Sequence, residues 1–285
     1  MSIRTILVPV FAAVSETAQL AAALAVARRI GGHIEAVFIR PRPDTLFNEF
    51  PESALISQLG RDELSREEEA TEAAARARFD AWHQDHELGT GRFQTEEPRI
   101  VANWSGRLGS VERMIVQCAR LSDLVVLNFP TGRLLAAGQA FDAAVFDGGR
   151  PVLLVPPVAR ADMFAHVVIA WSGSLEATRA VAASMPLLCA ADRVSVFCAP
   201  QSSEPFLGAD DLIEALSWHG VGASALPEPN IGGRVGDELL RMADEVGATL
   251  LVMGAYTHSR MRQLFLGGVT DAIVRAAARP TFLMH

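Results

Sequence analysis

The sequence predicts an α/β protein of two tandem, doubly wound, Rossmann-like parallel-sheet domains packed against each other as a pseudo-dimer. Three observations lead there: an internal repeat, strands alternating with helices inside each repeat, and strands written as continuous apolar runs. The repeat is plainest near the end of each half. RLLAAGQAFDAAVFDGGRPVLLVPP from Arg133 lies beside RQLFLGGVTDAIVRAAARPTFLMH from Arg262. Arg133 meets Arg262, Gly138 meets Gly267, Asp142 meets Asp271 and Pro151 meets Pro280, all offset by 129 residues. Upstream, GRLGSVERMIVQCARLSDLVVLN matches GRVGDELLRMADEVGATLLVMG, with Arg107 against Arg234 and Asn128 against Gly254. The boundary falls in the Pro- and Ala-rich stretch Pro156–Ala161, giving domains over 1–158 and 163–285.

The first element is a strand over Ile6–Val10. MSIRTILVPVFAAVSETAQLAAALAVARR superficially has the early Arg and Ala-rich runs of an export signal. Pro9 and Glu16 interrupt the apolar run, and Ser15-Glu16 marks a helix entry. The same pattern recurs internally at HVVIAWSGSLEATRAVAASMPLL, so a first strand and a first helix are expected. The long helix RDELSREEEATEAAARARFDAWHQDHEL carries a charge run that reads as a solvated face with i,i+4 pairs. His83 and His86 sit three apart there without a third ligand, so no metal site is expected. The second half repeats the series: strand 166–171, helix 174–188, strand 193–198, helix 209–219, a short strand near 222–226, helix 235–246, strand 249–253, helix 269–277 and strand 280–284. Apolar runs without alternation are what strands covered on both faces require, and βαβ crossovers then make the sheet parallel. RPVLLV and RPTFLM end the halves as short apolar strands, each an edge liability unless paired. They are expected to lie against each other across an approximate two-fold axis, with a homodimer of whole chains as a further possibility. Asp142 and Asp271 are both expected in the first turn of a helix, where a carboxylate stabilises the dipole.

Composition removes several function classes. The formal net charge is −8 and all 25 basic residues counted as Lys plus Arg are Arg. An acidic chain with scattered arginines lacks the basic stripe of a nucleic-acid binder. Without Lys, Schiff-base and Walker-type lysine chemistry is excluded. Cys118, Cys189 and Cys198 show no ligand spacing and lie in apolar runs; they are expected to be buried, inert thiols in a reducing cytoplasm. No apolar run reaches the length of about 20 residues that spans a bilayer. No Ser/His/Asp or Cys/His arrangement is legible, so a dedicated enzyme is not expected.

The chemistry-bearing stretch is LVMGAYTHSRMRQLFLGGVTDAIVRAAARPTFLMH. Gly254 ends a buried strand at the carboxyl edge, where such sheets bind ligands. Gly267-Gly268 precede a helix that begins near Val269-Thr270. Glycines let a phosphate approach free N–H groups at the positive end of a helix. Thr270 or Ser259 would add a hydroxyl and Arg260 or Arg262 a charge. The competing reading is that these glycines serve only turning and close helix–strand packing.

On these residues both halves resemble the universal stress protein family, over nearly the whole chain and most closely in the last 36 residues. The resemblance implies an adenine-nucleotide-hydrolase-like fold and an ATP loop of the form Gly, two residues, Gly, nine residues, Gly-Ser/Thr. Gly254 and Gly267 match its first and third positions; Thr257 and Gly268 depart at the second and fourth. His258, Ser259 and Arg260 lie inside the variant loop. Ser172 stands where ATP-binding members have an Asp, while Gly173 and Ser174 fit, and Val196 aligns with the strand presenting its backbone to adenine. Trp171 either walls a pocket or fills the core. The resemblance thus implies a cytoplasmic regulatory or protective module binding ATP or another adenine nucleotide, with Mg only alongside ATP and at most slow hydrolysis. In the first half Phe11 replaces the Asp, Asn128 the first Gly, and the loop is three residues shorter before Ala136-Ala137-Gly138. Nucleotide is therefore expected once per chain, in the second half. The alternative is an interaction protein working through dimerisation and protein contacts; a hydrolase or transferase is a weaker third reading.

Overall fold

A computed structural model describes residues 2–11, 16–40, 58–91, 100–130, 135–158, 162–199, 207–229, 234–255 and 268–285, with the side chains of 58–65 left aside. The first half runs β1 (Thr5–Val10), α1 (Thr17–Ile30), β2 (His33–Arg40), α2 (Gln58–Asp85), β3 (Val101–Leu108), α3 (Val111–Ala119), β4 (Leu124–Asn128), α4 (Leu135–Asp142) and β5 (Val152–Val155). The second runs β6 (Val167–Trp171), α5 (Leu175–Ala190), β7 (Val194–Cys198), α6 (Ala209–Ser217), β8 (Ala223–Ala225), α7 (Val235–Glu245), β9 (Leu250–Gly254), α8 (Val269–Ala276) and β10 (Thr281–Met284).

The described strands form one sheet of ten in the order β3-β2-β1-β4-β5-β10-β9-β6-β7-β8. Each half contributes a parallel 3-2-1-4-5 array. The halves join where β5 and β10 run antiparallel, with Thr281 opposite Leu154, Phe282 opposite Leu153 and Leu283 opposite Val152. Both terminal strands thereby cease to be edges, as the pseudo-dimer expectation required. Successive residues of β1 show why the runs are unbroken. Ile6, Val8 and Val10 join the core beneath α1, α2, α5 and α6, while Leu7 joins the core beneath α3, α4, α7 and α8. Both faces are apolar because both are roofed. Helices α1 and α5 meet across the join, where Arg29 Nε donates to the Ala190 carbonyl at 2.7 Å and a guanidinium nitrogen lies 3.0 Å from Asp192. That ion pair is exposed and contributes little; the apolar helix faces beneath it carry the contact.

Two expectations change. Asp271 does lie in the first turn of α8, but Asp142 ends α4, which continues into a π-helical turn over Ala143–Asp147. In the first half Ala136-Ala137-Gly138 is already helical, so the helix starts before Asp142 and carries it past the first turn. Cys189 is exposed rather than buried, because helical period turns it outward after the buried Leu187 and Leu188. Cys118 and Cys198 are half-buried, and burial pushes both thiols above their ordinary pKa. The charged helix α2 is tied down by an i,i+4 pair, Arg76 to Asp80 at 2.8 Å, and His83 Nε2 contacts the Gly89 carbonyl at 3.1 Å. No described helix is long and apolar enough to cross a membrane.

Candidate functional site

The strand order reverses direction between β1 and β4 and again between β6 and β9, so each half has one crevice at its carboxyl edge. The two crevices are built alike and filled differently.

In the first half Gln19, 3% exposed, reaches across the crevice and donates to the carbonyls of Pro9 and Val126, both at 3.3 Å. Its Oε1 accepts from Asn128 Nδ2 at 3.4 Å. Glu16, at the N-cap of α1, buries its carboxylate against Arg78 of α2 in a bidentate pair at 2.7 and 3.0 Å. Phe11 and Phe129, directly after β1 and β4, are buried in the core beneath α3 and α4. An anion arriving at this helix terminus would find a carboxylate there already, with its own guanidinium.

The second crevice holds no such plug among the described residues. Strand β6 ends at Trp171, after which Ser172 and Gly173 turn the chain into α5, Gly173 at φ +67°. Ser174 is the N-cap of α5: its Oγ accepts from Ala177 N at 3.2 Å and receives the Ser172 hydroxyl at 3.1 Å. Helix α8 starts at the same edge, since it returns the chain between the parallel strands β9 and β10. Its N-cap is Gly268, which has no side chain to cap the first-turn N–H groups. A Cβ on Gly268 would meet nothing within 4 Å. Val269 is half-buried and Thr270 buried.

Gly254 is explained by packing alone. A Cβ there would stand 2.6 Å from Ala177 N and 2.7 Å from the carbonyl carbon of Glu176, so the first turn of α5 rests directly on the end of β9. The same contact presses Glu176 Cβ to within 2.9 Å of that position. Glu176 is a residue the sequence reasoning missed. Its Oε2 is buried and has no hydrogen-bond partner among the described residues, an expensive state that a donor arriving in the crevice would relieve. The signal available was the acidic residue two after Ser174, which reads as ordinary helix-dipole chemistry.

The remaining predicted residues separate. Ser172, Gly173, Ser174, Gly254 and Gly268 gather at the carboxyl edge. Val196 lies inside β7, fully buried, with its carbonyl accepting from Leu226 N at 2.8 Å; the free end of that strand is Cys198. Trp171 is 8% exposed, in the core as one of its two expected readings had it; its Nε1 donates to the Leu207 carbonyl at 2.8 Å, and it lines a pocket between α5 and α6. Thr257, His258, Ser259, Arg260 and Gly267 lie outside the described residues. No group of three or more His, Cys, Asp or Glu that would hold a metal ion occurs among the described residues.

Comparison with known proteins finds a family match in the C-terminal segment and structural likeness over the whole chain. Residues 228–285 match the sequence model of the Universal stress protein family. A comparison with curated proteins finds no match. Among solved structures, a universal stress protein from Archaeoglobus fulgidus DSM 4304 is similar at TM-score 0.63 and 14% identity, over 99% of this chain and 96% of that one. A putative universal stress protein from Pseudomonas aeruginosa UCBPP-PA14 is similar at TM-score 0.57 and 15% identity, over 99% and 93%. A functionally unknown protein from Pseudomonas aeruginosa PAO1 follows at TM-score 0.54 and 15% identity, over 99% and 92%. At these identities the likeness speaks to fold.

Proposed function

From a chain whose C-terminal segment matches the sequence model of the universal stress protein family, and whose whole length is similar in fold to universal stress proteins, we propose a regulatory module binding one adenine nucleotide in its second half. The observation that carries this reading is the contrast between the crevices: Gln19, Asn128 and the Glu16–Arg78 pair fill the first, while the second keeps its serines. In it, the nucleoside hydroxyls donate to Glu176, which takes over from the Asp that Ser172 replaces. The phosphates lie against the start of α8, where backbone N–H groups and the helix dipole favour negative charge. Mg accompanies ATP only. The protein is not a dedicated enzyme; turnover is at most slow hydrolysis, and nucleotide occupancy tunes protein contacts in the cytoplasm. A second reading, an interaction protein that binds no nucleotide, is favoured by Gly254, whose presence needs no ligand.

The test is mass spectrometry of what the purified protein releases on denaturation, followed by thermal shift with ATP, ADP and AMP. A nucleotide at about 100 times its dissociation constant stabilises the fold by roughly 2.7 kcal/mol. Glu176→Gln should reduce that increment while leaving the unliganded melting temperature close to wild type. An empty protein with no shift at millimolar nucleotide leaves only the second reading. Calorimetry giving two equivalent sites per chain would place the site wrongly.

A further inference from the structure

The first half touches the second beside the open end of β10. Strands β5 and β10 run antiparallel, so the carboxyl edge of the second half lies on the same side of the sheet as the amino edge of the first. The π-helical turn Ala143–Asp147 ends the first-half helix on that side, and π turns are frequent at functional positions. Its Phe146 meets the imidazole of His285 edge to face, with ring centroids 5.3 Å apart and planes at 75°.

His285 in turn holds Ala255, the residue directly after β9. Its Nδ1 lies 2.9 Å from the Ala255 carbonyl oxygen. A carbonyl only accepts, so Nδ1 carries the proton and donates it. Ala255 N donates to the Met284 carbonyl at 2.8 Å, and Arg179 Nη1 of α5 reaches the main-chain oxygen of His285 at 3.4 Å. Both main-chain polar groups of Ala255 are thus engaged. The chain leaves β9 in one fixed direction, next to Gly254 and the first turn of α5 that rests on it.

We propose that Phe146 is a positioning residue for the second crevice: it fixes the His285 ring, the ring fixes Ala255, and the first half thereby sets the affinity of the ligand site in the second. The inference rests on the nucleotide reading above. The duplication supplies its argument. At the 129-residue offset Phe146 matches Arg275 and His285 matches Pro156; counted from the N-caps Glu16 and Ser174, Arg179 matches Ala21. Arg275 turns back to Asp271 on its own helix, Pro156 has no donor and Ala21 has no charge. Only the main-chain bond recurs in the first half, from Phe129 N to the Val155 carbonyl at 3.1 Å. A link needed merely to close the last strand onto its neighbour would serve both halves alike. This one stands only beside the crevice that has no Gln19 across it. With Ala255 already held, less remains to be ordered when a ligand arrives, and affinity rises accordingly.

The experiment titrates ATP into the full chain by calorimetry, with Phe146→Leu, His285→Leu, their double variant and His285→Asn. Asparagine places its amide nitrogen where Nδ1 stands, so it keeps the donor to Ala255 and loses the ring. Phe146→Leu and His285→Leu should each weaken ATP about five- to tenfold, and the double variant no further, since both break one chain of contacts. His285→Asn should recover most of the loss. Arg29→Ala, which cuts the exposed ion pair elsewhere on the join, should leave affinity unchanged, and all five variants should melt close to wild type without ligand. Amide hydrogen exchange in the unliganded protein is the second readout: Phe146→Leu should speed exchange at Ala255 about fivefold while Phe282 and Leu283 stay protected. Wild-type affinity in Phe146→Leu, additive losses in the double variant, or His285→Asn as weak as His285→Leu overturns the proposal. If the wild type binds no nucleotide, the nucleotide reading fails and with it the affinity claim; the link from Phe146 to Ala255 is then decided by exchange alone, and an Ala255 amide indifferent to Phe146→Leu refutes that too.

Discussion

Replacing Gly254 with Ala isolates the closest helix–strand approach beside the crevice. The added methyl would stand 2.6 Å from Ala177 N and 2.7 Å from the Glu176 carbonyl carbon, both backbone atoms of the first turn of α5. Apolar contacts settle at about 3.5–4.0 Å, so α5 must lift by roughly an ångström from β9 or the strand end must bend. Overpacking of this kind costs about 1–3 kcal/mol. Gly254 is absent from the positive-φ glycines, so Ala meets no backbone strain there and gains about 0.4–1 kcal/mol from a stiffer unfolded chain. The net expectation is a loss of about 1–2 kcal/mol, or roughly 2–8 °C in melting temperature for a chain of this size. Urea unfolding followed by far-ultraviolet circular dichroism should show a lower midpoint at unchanged slope, since the same surface is exposed. A Gly254→Ala protein as stable as wild type, or more so, would refute the packing account and return this glycine to ligand approach.

Gly138→Ala should move stability the opposite way, because Gly138 is inside α4 with nothing within 4 Å of an added Cβ; a rise of about 0.5–1 kcal/mol is expected in the same urea assay. His166 makes stability depend on pH: the ring is 3% exposed, and burial holds its pKa below the ordinary value, with Arg193 at 3.2 Å and Ser195 Oγ at 2.9 Å from its nitrogens. The native ring resists a proton that the unfolded chain accepts near pH 6.5. Its contribution is therefore whole above that pH and lost as pH falls toward the lower native value, and a His166→Gln variant should show a shallower decline between about pH 7 and 5.

Much of this fold was legible because it depends on period and repetition. The alternation in β1 of Ile6 and Val8 with Leu7, each entering a different core, is the physical content of an unbroken apolar run. Every second-half span falls within two residues of its expected limits, since Gly, Pro and Ser punctuate the apolar segments sharply. The pairing of Leu153 with Phe282 followed from two short apolar strands having nowhere else to go. The crevice was less legible. Val196 lies inside β7, as the expected strand 193–198 had it. Glu176 escaped notice because its significance is an oxygen that the fold buries without a partner among the described residues, and no local pattern records that.

The two halves diverge where the duplication leaves them free to. A β5–β10 join uses the same strand from each half, so neither could change without exposing an edge, and both stay short, apolar and buried. The crevices share no contact that forces symmetry. At matching places after the N-cap of the first helix, one half has Gln19 and the other Ala177. A long amide at that place spans two strand ends and meets Asn128; a methyl leaves α5 to settle onto the bare backbone of Gly254. One substitution therefore predicts its partner across the crevice: glutamine with asparagine, alanine with glycine. Exchanging only one member of either pair should destabilise its half, by an unsatisfied amide in the first and by a steric clash in the second.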